Sequence, residues 1–334
     1  MKLKMFLIFG FVYACLCPVA FSQSSLGQAS VVQNRGLNVI SVSSNKTVLV
    51  GGYNTDFPEN RVVGYGLLWK LNASHPSAKK LSFLGKIDQM LWLTDQSGWI
   101  SSIGHGVYQT IDRGENWKRL DSSNDIKGSY FFLNAELGWY FAKNEHLKRL
   151  ENENISDLAK FDNFPYVKKL QFTDRDNGWL YDVVDATPRF QRSRNGGQTW
   201  EIKSVDNTDF YAFQFVNDSH GFALTNKALY KTADGGESWK LLRINVRESW
   251  HGKLFFLDEN RGWILGSDIC QTNDGGTSWS CYGFDREVKR KIPTDFVFID
   301  ESRGWLLTED GLYQTKNGGK KWKRQILRFG ELSF

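Results

Sequence analysis

The chain has 334 residues with a formal charge of +5, 15% aromatic residues, 31 glycines and only 6 prolines. Many glycines and aromatics with few prolines suit numerous short strands joined by tight turns. So mild a charge, with no basic stripe or nucleic-acid motif, excludes a nucleic-acid binder.

The N-terminus reads as a secretion signal. Lys2 and Lys4 form a positive n-region, Met5 to Cys17 is a short apolar run, and Ala20-Phe21-Ser22 sets small residues at a cleavage site. The run ends at Pro18, short of the roughly 20 residues that a spanning helix needs. Residues 1–22 are therefore expected to be removed, leaving 23–334 and a charge of +5 − 2 = +3. A lipoprotein site at Val12-Tyr13-Ala14-Cys15 is the competing reading and would tether the domain through Cys15.

A Gly-aromatic pair then recurs along the chain, at Gly98-Trp99, Gly138-Trp139, Gly178-Trp179, Gly221-Phe222, Gly262-Trp263 and Gly304-Trp305. The aromatics are 40, 40, 43, 41 and 42 residues apart. Each pair follows an alternating apolar segment such as Phe296-Val297-Phe298-Ile299, and a second motif comes later in the unit. That motif spans 193–200, 232–239, 272–279 and 315–322, with a looser copy at 110–117. A unit of four short strands in about 40 residues has the length of a propeller blade. Six marked units and an unmarked first one predict an all-β, seven-bladed β-propeller of four-stranded antiparallel blades. The expected blades are roughly 37–83, 88–122, 128–160, 167–205, 210–245, 252–284 and 294–327. The unit around Trp139 lacks the second motif, so its outer two strands are not defined by pattern.

The second motif is the Asp-box, S/T-x-D/N-x-G-x-x-W. Asp112, Asn195, Asp234, Asp274 and Asn317 occupy its third position. The Asp or Asn side chain can accept turn N–H groups, the glycines allow positive φ, and the Trp buries a large apolar surface. These residues are expected to be structural. They recur in equivalent turns around a ring, and the amides at 195 and 317 cannot act as acids or bases. The Gly-Gly pairs are hairpin turns, since no helix follows to make a phosphate site.

Cys270 and Cys281 bracket one Asp-box symmetrically: 270 + 281 and 272 + 279 both equal 551. A regular hairpin sets them opposite one another, at a spacing a disulfide favours. A pair of buried free thiols is the alternative.

The joint pattern of apolar strand, acidic turn, Gly-Trp and T-x-D/N-G-G-x-x-W resembles the photosystem II stability and assembly factor family, over roughly Met90 to Arg324. The resemblance implies a lumenal or periplasmic propeller that binds or helps assemble another protein without catalysing a reaction. A periplasmic or secreted location follows from the signal as well. The competing reading is a sialidase-like or xyloglucan-type glycoside hydrolase, which shares the Asp-box. Against it, the N-terminal Phe-Arg-Ile-Pro of sialidases is absent, and xyloglucan-type enzymes resemble two such propellers in one chain.

Loops between second and third strands, and between blades, are expected on the face opposite the Asp-boxes. Candidate binding residues there are Arg61, Arg189, Arg247, Trp250, His251, Arg286, Lys289, Arg290 and Lys291. The 286–291 run is either a solvated loop or a patch that docks an acidic partner. Trp250-His251 is either an exposed anchor or the buried start of an inner strand. Asp182, Asp185 and His146 fall in the same expected loops. No spacing implies a metal site or a cofactor.

Overall fold

The computed structural model describes residues 37–325 apart from 44–46, 57–62, 72–75, 83–85, 103–105, 121–125, 143–145, 162–165, 204–209, 211, 226–227, 243–252, 285–287, 290 and 309–310. It contains seven four-stranded antiparallel sheets, each with its strands in sequence order. The first strands are Leu37–Val42, Ile87–Trp92, Ile126–Phe132, Tyr166–Phe172, Ala212–Phe215, Lys253–Phe256 and Pro293–Phe298. These line the axis of the propeller, and the first lies beside both the second and the seventh, which closes the ring.

The expectation of seven blades needs correcting: the repeat builds six, sheets two to seven, and sheet one is of different construction. In sheets two to seven the glycine of the second strand makes room for the aromatic ring ending the first. A Cβ on Gly138 would lie 1.9 Å from Phe132 Cδ1, and one on Gly178 2.4 Å from Phe172 Cε1. In sheets three to seven that ring stacks on the aromatic of the preceding sheet: Trp99 on Phe132 at 3.8 Å, Trp139 on Phe172 at 3.6 Å, Phe222 on Phe256 at 3.5 Å. Sheet one has no such pair. Leu37, Ile40, Val48 and Val50 instead pack on Val297, Trp305 and Leu307 of sheet seven, an aliphatic seam in place of stacked rings.

The outer strands of sheet three, undefined by pattern, are His146–Glu151 and Asn154–Lys160. Asn152 and Glu153 alone join them, at φ 49° and 66°, a left-handed pair suited to a two-residue hairpin. Sheet three is thus a regular hairpin with no Asp-box.

The Asp-boxes are closed hydrogen-bond units. In sheet five the Thr232 hydroxyl donates to Asp234 Oδ1 (2.7 Å) and accepts from the Gly236 amide (2.9 Å), while the Ser238 amide donates to the same Oδ1 (3.0 Å). Asn195 is used identically, accepting from the Ser193 hydroxyl and the Thr199 amide, both at 3.0 Å. The boxes also tie sheets together: the Trp139 indole donates to the Gly196 carbonyl and that of Trp179 to Gly235, both at 2.9 Å.

Candidate functional site

Each first strand starts at the loop face and ends at the Asp-box face, so residues from both ends of these strands meet along the axis. They enclose a cavity of about 790 Å³, running from Phe210 near the loop face to Ser43 and Ile299 near the other. Such a volume suits a ligand or a peptide segment.

Neighbouring sheets are clipped together around it by side chains that imitate a strand. Gln171 donates to the Phe215 carbonyl (2.7 Å) and accepts from the Phe215 amide (3.0 Å); Gln214 does the same with Phe256, both at 2.8 Å. The Ser41 hydroxyl accepts from the Trp92 amide at 2.8 Å, and that of Ser129 from the Leu170 amide at 3.2 Å. Backbone groups that face a neighbouring sheet are thereby satisfied, as buried amides must be, and the lining is held in place.

Three lysines project into this frame. Lys168 is exposed, its ammonium 5.3 Å from the centroid of the Tyr181 ring. Lys169 donates to the Phe213 carbonyl and lies 5.0 Å from that ring. The desolvation of its ammonium, then repulsion from Lys253, lowers its pKa to about 8, with Asp295 working against the shift. Lys253 pairs with Asp295 at 3.2 Å, and the other Asp295 oxygen accepts from the Ile40 amide at 3.4 Å. Among the described lining residues, three ammonium groups therefore face one carboxylate. The remaining walls are largely apolar, with Phe210, Phe213, Phe255 and Phe296 prominent. An aromatic, net-cationic channel favours an anionic group carried on an apolar segment.

The candidates expected from sequence fare unevenly. Arg61, Arg247, Trp250, His251, Arg286 and Arg290 lie outside the described residues. Lys289 is exposed and Lys291 half-buried in the loop before Pro293. Asp182 and Arg189 are not in a loop. They face each other across the second and third strands of sheet four, and Asp182 is fully buried. Its carboxylate accepts from Arg189 Nε and Gln191 Nε2, both at 3.0 Å, so Arg189 is committed to a cross-strand ion pair. His146 likewise starts a strand, with Asp157 3.8 Å away, while Asp185 keeps its turn at φ 49°. Cys270 and Cys281 are register partners and form a disulfide. No group of three or more potential metal ligands occurs among the described residues.

Sequence reasoning missed the lysines. Lys168-Lys169 sits inside an apolar-aromatic first strand, and only the ring closure brings it near Lys253 and Asp295, 84 and 126 residues further on. The doublet of lysines in a strand otherwise facing a core was the available signal.

These features define the class: an Asp-box β-propeller with a net-cationic axial channel, built like the propellers of photosystem II assembly factors. Residues 208–332, the last three sheets, match the family described as photosynthesis system II assembly factor YCF48. The photosystem II assembly lipoprotein Ycf48 of Synechococcus sp. (strain CC9902) is 27% identical over 117 residues, 34% of this chain and 35% of that protein. The match thus spans about a third of the curated relative's length. A structure described as YCF48 bound to D1 peptide superposes with a TM-score of 0.65 at 15% identity, over 86% of this chain and 95% of the other. The xyloglucanase of Xanthomonas campestris superposes with a TM-score of 0.58 at 12% identity, over 88% of this chain and 62% of that one. At such identities the superpositions establish the fold, which serves both binding proteins and enzymes.

Proposed function

We propose that this protein is an exported, non-catalytic propeller that binds a partner polypeptide at its loop face and axial channel, in the manner of an assembly factor. The observation that carries this reading is the channel lining, three lysines among aromatic rings against one ion-paired carboxylate. Glycoside hydrolysis by the usual routes needs two carboxyl groups flanking the bond, and the described lining offers only Asp295. The preferred partner segment is acidic with apolar flanks. The YCF48 structure holding a D1 peptide supports a polypeptide as the ligand class.

Export is supported by the signal-like residues 1–22 and by the lipoprotein character of the Synechococcus relative. The compartment is a periplasm or the exterior. No helix among the described residues is long and apolar enough to cross a membrane, and Cys15 would provide a lipid anchor if the lipoprotein site is used. The basic run Arg286 to Lys291 extends the docking surface in this reading.

The test is recovery of partners by tagged exported protein, compared with Lys168→Glu and with a variant reversing Arg286, Lys289, Arg290 and Lys291. Partner recovery falls in both variants on this account. Unchanged recovery in both sinks it.

A further inference from the structure

Sheet three lacks the Asp-box that sheet two and sheets four to seven carry, and the gap leaves a groove. At three junctions the indole of one sheet is capped by a glycine carbonyl of the next box, from Trp139 to Gly196, Trp179 to Gly235 and Trp263 to Gly318. Trp99 faces sheet three, where the two-residue Asn152–Glu153 turn replaces the box, and its buried Nε1 has no hydrogen-bond partner among the described residues. The space an eight-residue box fills elsewhere opens here as a cavity of about 740 Å³, between the box of sheet two and the hairpin of sheet three.

Its walls are apolar. Ile111 is 67% and Ile155 45% exposed, two of the five large exposed hydrophobic residues among those described. Its rim is acidic, with Asp112, Glu136 and Glu153 against the single ammonium of Lys118, which pairs with Glu153 at 2.9 Å. The strand leading out of the groove, Asn154–Lys160, is seven residues long, whereas the outer strands of the other repeat sheets have two to four. A long, solvent-facing edge strand presents a row of backbone donors and acceptors to another chain.

We propose that this groove binds an extended segment of a partner polypeptide, with an apolar side chain seated between Ile111 and Ile155 and a basic side chain beside it at Glu136 and Glu153. The segment runs along the edge of Asn154–Lys160. Charge selects it: the rim carries three carboxylates to one ammonium, the opposite of the axial channel, so the two sites take segments of opposite sign. The groove lies on the Asp-box face and its occupation is independent of the channel.

The test uses random twelve-residue peptides displayed on phage and selected on the full chain. The selected sequences are then measured as soluble peptides by fluorescence polarisation. The targets are the parent protein, Ile111→Ser/Ile155→Ser, Glu136→Lys/Glu153→Lys and the channel variant Lys168→Glu. The expected result is peptides with apolar and basic residues that lose at least tenfold in affinity to both groove variants and bind Lys168→Glu as well as the parent. The exposed Glu136→Lys/Glu153→Lys pair decides the outcome if the isoleucine variant fails to fold. Absence of any binder, acidic consensus sequences, or affinity unchanged in Glu136→Lys/Glu153→Lys overturns the proposal. Because Lys168→Glu is measured alongside, failure at the channel and failure at the groove are read separately.

Discussion

Replacing individual repeat tryptophans by phenylalanine separates the hydrogen bond between sheets from the stacking that accompanies it. Trp139, Trp179 and Trp99 are all fully buried and each stacks on a phenylalanine of the next sheet at 3.6–3.8 Å. Phenylalanine retains a ring in that stack, as Phe222 does on Phe256, and loses similar volume at all three sites. The difference lies in the indole N–H. In Trp139→Phe and Trp179→Phe the carbonyls of Gly196 and Gly235 lose their 2.9 Å donors in a buried setting. An unsatisfied buried group costs about 1–3 kcal/mol. Trp99 has no acceptor to orphan, so Trp99→Phe should cost about 1–3 kcal/mol less than either. Urea unfolding followed by intrinsic fluorescence and circular dichroism measures the three differences. Equal destabilisation at position 99 would refute the assignment of these indoles as ties between sheets.

Other outcomes follow from the same geometry. Gly138→Ala forces a Cβ to within 1.9 Å of Phe132, a ring pinned against Trp99, and should cost at least the roughly 1–3 kcal/mol of an overpacked core. Gly283→Ala, whose new atom would meet only Asp268 Oδ1 at 3.6 Å, should unfold at nearly the parent midpoint in the same urea titration. Acid should weaken the fold through the boxes. The Asn116 backbone amide, then its side-chain amide, lowers Asp112 from 3.8 to about 2. At Asp234 partial burial opposes the shift, but the Ser238 hydroxyl and amide outweigh it and bring the carboxyl to about 2. A carboxyl depressed in the folded state contributes fully above its unfolded value and loses that contribution as pH falls towards 2. Asp234→Asn should remain folded, as Asn195 and Asn317 do in the same slot, and show a flatter urea midpoint between pH 4 and 2. Reducing Cys270–Cys281, which closes a loop of sequence separation 11, should cost about 2–3 kcal/mol. Thermal melts with and without dithiothreitol should differ for the parent and coincide for Cys270→Ser/Cys281→Ser.

The legible parts of this protein are those its chain repeats locally. Gly-Trp marks a tight inner corner because a Cβ at Gly138 or Gly178 would collide with the sheet's own aromatic ring, and the Asp-box closes its hydrogen bonds within eight residues. Both are therefore visible in a window shorter than one sheet. The cysteine pairing was readable for the same reason, being symmetric about one hairpin. Sheet one was harder, since its aliphatic seam with Trp305 carries no short signature. The channel was invisible because its lining is assembled from short stretches of strands about 40 positions apart, which only the closed ring brings together. Asp182 and Arg189 were misplaced because a charged pair beside a turn reads as loop, whereas strands of seven residues carry both into the sheet, where each satisfies the other. The missing box in sheet three was visible as an absence, but its consequence, an uncapped Trp99 and an open groove, depends on the neighbouring sheet.

The most direct test of the binding function is photo-crosslinking in the producing cell from p-benzoylphenylalanine at Leu91, a channel-lining position, compared with the same group at Ile202, 63% exposed on the outer edge of sheet four. A polypeptide adduct from position 91, absent from 202 and lost when Lys168→Glu is added, is the predicted result. No adduct at 91, or the same adducts from both positions, contradicts it.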